Sequence, residues 1–126
     1  MKTQKTIYWI STSLITLMML FAAFSYFTSP MAKSGFAHLG YPNYFRVELG
    51  TAKILGAIAL ILPWIPSRIK EFAYSGFTIT FISAFIAHLS SGDPMKIAVT
   101  PIVALVVLAV SYIYYSKLKE NADIKF

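Results

Sequence analysis

Four long runs of apolar residues, at 7–27, 45–62, 72–89 and 97–115, occupy most of the 126-residue chain. Each is about 18 to 21 residues, long enough as a helix to cross a hydrocarbon core of about 30 Å. Apolar residues make up 57% of the sequence and charged residues 13%, too little polar surface to cover a water-soluble domain of this size. Short connections place consecutive helices side by side and antiparallel. The expected fold is therefore all-α: an integral membrane four-helix bundle with up-down connectivity, helices at about 7–27, 45–62, 72–89 and 95–115, forming one domain over residues 1–126.

The formal charge of +6 is spread over the helix ends and not gathered on one face, which argues against nucleic acid as a partner. Membrane topology accounts for it better. With a cytoplasmic N-terminus the inner side carries Lys2, Lys5, Arg68, Lys70, Lys117, Lys119 and Lys125, and the outer side Lys33, Arg46 and Lys96, so the positive-inside rule puts both termini inside. Aromatic residues suited to the headgroup level follow the same division, with Tyr8, Trp9, Trp64, Tyr74, Tyr112, Tyr114 and Tyr115 inside and Tyr26, Tyr41 and Tyr44 outside. The basic start followed by an apolar run has the outline of a secretory leader, but the run exceeds an ordinary leader core and Pro30 suits processing badly, so a retained first helix is expected. Cysteine is absent, which excludes disulfides, thiolate metal sites and a dithiol relay.

The connection at 28–44 mixes Met31, Phe36 and Leu39 with Lys33, Ser34 and His38, the pattern of a short amphipathic helix on the outer face. Gly40, Tyr41 and Pro42 break it, while Pro63 and Pro66 end the second long helix in a tight turn. In the third connection Asp93 is placed to cap the last helix, with Pro94 at its first position and Pro101 about one turn further on, where it bends the helix.

Lys53 stands roughly 12 Å into the second apolar run, near mid-bilayer, at a cost between about 2.5 and 17 kcal/mol unless it is paired or wet. Gly50, Gly56 and Ala57 share its strip of the helix, so it faces protein and not lipid. Glu48 lies about 140° away around the same helix, too far round for a direct pair, and partners from other helices are needed. His88 is the expected one, with Arg46, His38 and Asp93 at the same outer end. Glu48, Lys53 and His88 would then line an outward-opening cavity that binds a polar head group or passes protons. The bland alternative is a structural polar network.

Ser11, Ser13, Thr16, Thr78, Thr80 and Ser83 are expected to bond back to their own helix carbonyls, with a few lining the cavity, and Met18, Met19 and the Phe-rich faces to meet lipid or pack and not to form a ligand box. Two histidines without cysteine do not suffice for haem or copper, and no metal, phosphate-loop or dinucleotide motif appears.

The run Phe36, Ala37, His38, Leu39, Gly40, Tyr41, Pro42, Asn43, Tyr44, followed by Leu49, Gly50, Lys53, Gly56, Ala57, Leu60, Leu62 and Pro63, resembles the DoxX-like family of small four-helix membrane proteins. Ala87, His88, Leu89, Gly92 and Asp93 extend the likeness, which covers essentially the whole chain. The resemblance implies a bacterial plasma membrane and a link to oxidoreductase systems, since founding members are associated with thiosulfate:quinone oxidoreductase. It makes the cavity of Glu48, Lys53 and His88 a site for a lipophilic small molecule such as a quinone, whose carbonyl a lysine or histidine could hydrogen-bond. Electron transfer would then need an external oxidoreductase partner. Two other readings are a small proton-coupled transporter of the multidrug-exporter kind and a structural scaffold, and a homo-oligomer fits each of the three.

Overall fold

The computed structural model describes residues 2–121, with side chains through Lys119; Met1 and residues 122–126, including Lys125 of the charge count, lie outside the described residues. Within them are six helical segments and no strand: α1 (Lys2–Thr28), α2 (Pro30–His38), α3 (Asn43–Ile61), α4 (Ser67–Ser90), α5 (Met95–Ala98) and α6 (Thr100–Asn121). Three stretches are long and apolar enough to cross a membrane: α1, α4 and the α5–α6 rod over Met95–Lys119. The expected fourth, α3, is not among them, because its 19 residues include Arg46, Glu48 and Lys53.

Helix ends follow the local chemistry. Ser29 accepts a hydrogen bond from the Ala32 amide at 3.4 Å and Pro30 occupies the first turn, which starts α2 where an amphipathic segment is expected. Gly40, at φ 88°, turns the chain out of α2 in a conformation a side chain would disfavour. The Phe36 ring packs edge-on against Tyr26 at 4.8 Å and against Phe45 at 6.3 Å, fastening α2 to the tops of α1 and α3. The expected cap at Asp93 does not form: Pro94 is the N-cap of α5 without a side-chain bond, and the Asp93 carboxylate is engaged by two histidines instead. Pro101 has no amide hydrogen to give to the preceding turn, and the rod breaks at Val99 between α5 and α6.

The long helices close into a ring in which α1 packs on α3 and α6, and α4 packs on α3 and α6. Thr12 meets Ser111, Ser67 meets Tyr115, and Gly50 lies under Tyr26 and Phe27, so the start of α1, the start of α4 and the end of α6 share one end of the molecule. The strip of small residues on α3 serves two neighbours. A Cβ at Gly50 would stand 3.0 Å from the Phe27 ring of α1, and one at Gly56 would stand 2.6 Å from the Phe77 ring of α4.

Ile15, Leu60, Leu108 and Tyr115 form the centre of the core, and Tyr8 and Tyr74 join them. These three tyrosines are core residues and not headgroup anchors, as their positions near helix ends suggested. Trp64 and Tyr44 remain exposed at opposite ends. Outside, Leu17, Phe21, Phe24, Leu55, Ile79 and Val106 are exposed, while Thr12, Ser111, Lys53 and Lys70 are buried. Broad apolar faces outward, with several polar groups buried in an otherwise apolar core, is the distribution that lipid, and not water, selects as the surrounding solvent.

Two cations close helix ends that would otherwise leave carbonyls unpaired. From α3, Arg46 donates to the Tyr26 carbonyl near the end of α1 and to Asn43 Oδ1 at 2.9 Å. From α4, Lys70 donates to the carbonyls of Ala59 and Leu60 at 2.8 and 2.9 Å, closing α3. Lys70 is only 1% exposed, so the residue counted among headgroup charges is a buried helix cap.

Candidate functional site

Lys53 sits in the middle of α3 and is 4% exposed. Its Nζ donates to Met19 Sδ at 3.6 Å and lies over the Tyr26 and Phe81 rings at 5.6 and 5.4 Å. Met19 and Tyr26 come from α1 and Phe81 from α4, so two neighbouring helices cage an amine carried by α3. A thioether is a weak acceptor and ring faces attract a cation without replacing a strong hydrogen-bond acceptor. Among the described residues no carboxylate stands within ion-pairing distance of this amine. Beside it, an open groove of about 320 Å³ runs between α3 and α4, lined by Lys53, Gly56, Ile69, Phe72, Phe77 and Thr80 among others.

The three residues expected to share a cavity are not brought together. Glu48 is exposed on α3. His88, expected to approach Lys53, turns to the connection after α4, where its Nδ1 lies 2.7 Å from Asp93 Oδ2. His38 reaches the same carboxylate from α2, with Nε2 at 2.8 Å from Oδ1. The physical reason is reach: Asp93 follows His88 by five residues past the helix end, and Gly92 at φ 77° folds it back over the imidazole. The secondary residues divide in the same way, with His38 and Asp93 joined to His88 and Arg46 joined to the end of α1. Hydrogen bonds from His88 and then His38 hold the Asp93 carboxyl below its ordinary value of 3.8.

A second buried polar group lies in the other half of the core. Ser111 Oγ is 2.6 Å from Thr12 Oγ1 and 2.7 Å from the Tyr74 hydroxyl, which joins α1, α4 and α6 through one serine. The sequence carries no distinctive sign of this group, because each hydroxyl is unremarkable in its own helix. Ser11, Thr78 and Thr80 do bond back to carbonyls one turn away. Thr16 does not: its Oγ1 is buried on α1 with no partner.

The exposed apolar faces, the three spanning-length helices and a buried amine held between two neighbouring helices define an integral membrane protein with polar groups in its core. The chain belongs to the DoxX-like family, whose model matches residues 10–111, a span that includes Lys53, the Ser111 group and the His38, His88, Asp93 cluster. Comparison with curated proteins and with solved structures returned no match.

Proposed function

We propose that this DoxX-like membrane protein binds a lipophilic small molecule with a carbonyl acceptor, such as a quinone, in the α3–α4 groove beside Lys53, and thereby serves as the membrane subunit of an oxidoreductase system. The observation that carries this reading is the Lys53 amine, buried among a thioether and two rings with no strong acceptor, at the edge of an apolar groove. A buried donor without an acceptor is costly, and a carbonyl oxygen entering the groove would relieve that cost while its apolar body covers Gly56 and Phe77. Lys53 is then the ligand-holding residue. Glu48 and His88 take no direct part in holding it, and proton exchange by them is a separate question from binding. Redox chemistry is left to a partner, since the chain has no cysteine.

In the same reading the four long helices cross a bacterial plasma membrane alternately, as an antiparallel bundle with both termini in the cytoplasm. Support comes from the contacts that place the start of α1 and the end of α6 together, and from the basic residues at that end.

The test is thermal unfolding of purified protein with and without a decyl-tailed benzoquinone, for the native chain and for Lys53→Met. A rise in Tm for the native chain that is lost in the variant, with unchanged helicity, is expected. An equal rise in both, or none in the native chain, rejects the groove as a quinone site.

A further inference from the structure

At the end of the molecule that carries the start of α1, a second cavity of about 490 Å³ opens between α4 and α6. It is lined by Ser67, Arg68, Glu71, Phe72, Ser75 and Lys119. Three formal charges therefore surround one opening, yet among the described residues none of them forms an ion pair. Lys119 donates to Ser67 Oγ at 2.6 Å, and Glu71 accepts at Oε1 from the Tyr112 hydroxyl at 3.0 Å, which fixes both side chains and leaves Oε2 of the carboxylate available. Arg68 and Glu71 are three residues apart on one helix face, a spacing at which opposite charges usually pair. Here they flank a gap instead.

The surroundings place this gap at a headgroup boundary. Trp64 and Phe72 are 73% and 74% exposed, and Phe72 also lines the apolar groove toward the molecule's middle. The site thus has a polar mouth at a helix end and an apolar floor leading into the hydrocarbon region.

We infer that this cavity holds the headgroup of a phospholipid that carries both a phosphate and a primary amine, phosphatidylethanolamine being the lipid of that chemistry. Arg68 and Lys119 take the phosphate, Arg68 through its fork of N–H donors and Lys119 as a point charge. Glu71 Oε2 accepts from the ammonium two carbons away, and an acyl chain lies over Phe72. A choline headgroup has no N–H to give to Glu71, and a glycerol headgroup brings no cation, so the carboxylate discriminates against both. This site shares only Phe72 with the groove beside Lys53 and does not rest on the quinone reading.

The experiment is native mass spectrometry of the full chain in neutral detergent, offered equal amounts of phosphatidylethanolamine, phosphatidylcholine and phosphatidylglycerol with identical acyl chains. Retention of the ethanolamine lipid several-fold above the other two is expected. Arg68→Gln with Lys119→Gln lowers retention of the ethanolamine lipid about tenfold, the loss anticipated when charge-assisted phosphate contacts go. Glu71→Leu, which removes both the charge and the acceptor, equalises the ethanolamine and choline lipids without reducing the latter, and Lys53→Met leaves the preference intact. Equal retention of all three lipids by the native chain, or a preference for the glycerol lipid, overturns the assignment. Retention of water-soluble phosphoethanolamine as strongly as the diacyl lipid overturns it too, by showing a soluble phosphate site. Should the double variant fail to fold, Arg68→Gln alone, at an exposed position, decides: undiminished retention rejects the site.

Discussion

Lys53 and Lys70 are both buried lysines in long helices, and their environments separate a structural role from a ligand-holding one. Lys70 Nζ satisfies two orphan carbonyls at the end of α3, whereas Lys53 Nζ meets only sulfur and aromatic faces. Truncation should therefore have opposite signatures. Lys70→Met leaves the Ala59 and Leu60 carbonyls without their donor and is expected to destabilise the fold by about 2 to 4 kcal/mol, from the usual value of a charged hydrogen bond lost in a buried place. Unfolding in detergent measures it, and a loss below the error of the method would remove Lys70 as the cap of α3. Lys53→Met exchanges an amine without a strong acceptor for an apolar chain of similar length, so its effect should fall on ligand response and not on folding.

At the level of elements, the outer helix α2 is held by one ring and one carboxylate. Phe36 packs on Tyr26, and His38 meets Asp93, which also meets His88 at the end of α4. Asp93 thus joins α2 to the α4–α5 connection. Because its carboxyl is held below the ordinary 3.8 by hydrogen bonds from His88 and His38, the ionised form belongs to the folded arrangement. The contribution is complete above that ordinary value and is lost only as the pH falls through the depressed one. Spin labels at Lys33→Cys on α2 and Lys96→Cys on α5 should report one narrow distance near neutral pH that broadens only in acid, as the pH falls through the depressed value. Asp93→Ala should broaden it at every pH. A distribution indifferent to both would show that Phe36 alone secures α2.

For the molecule as a whole, the arrangement of contacts fixes which segments share an end. The start of α1, the α3–α4 turn and the end of α6 lie at one end, and α2 with the Asp93 cluster lies at the other. The absence of cysteine makes single-cysteine labelling direct. In intact cells a membrane-impermeant maleimide is expected to label Lys33→Cys on α2 and to reach Thr3→Cys only after permeabilisation. Labelling of both without permeabilisation would contradict an embedded chain with these ends on opposite sides.

The apolar runs, the prolines at 42, 63 and 66 and the turn glycine at 40 made the helices and most of their limits legible, because composition and backbone restriction act within a few residues. Lys53 was legible as a buried charge for the same reason: it interrupts an apolar run and shares its face with Gly50 and Gly56. Its company was not. Periodicity states which residues share a face of one helix, but not which face of α1 or α4 is rotated toward α3. Met19, Tyr26 and Phe81 around Lys53, Ser111 between Thr12 and Tyr74, Lys70 under the end of α3, and the turn of His88 away from Lys53 to Asp93 all depend on that rotation. The sequence by itself determined a helical chain built for lipid with a charge in its interior; tertiary packing alone decided what that charge touches, since side-chain partners across helices are set by geometry between elements and leave no periodic trace within any one of them.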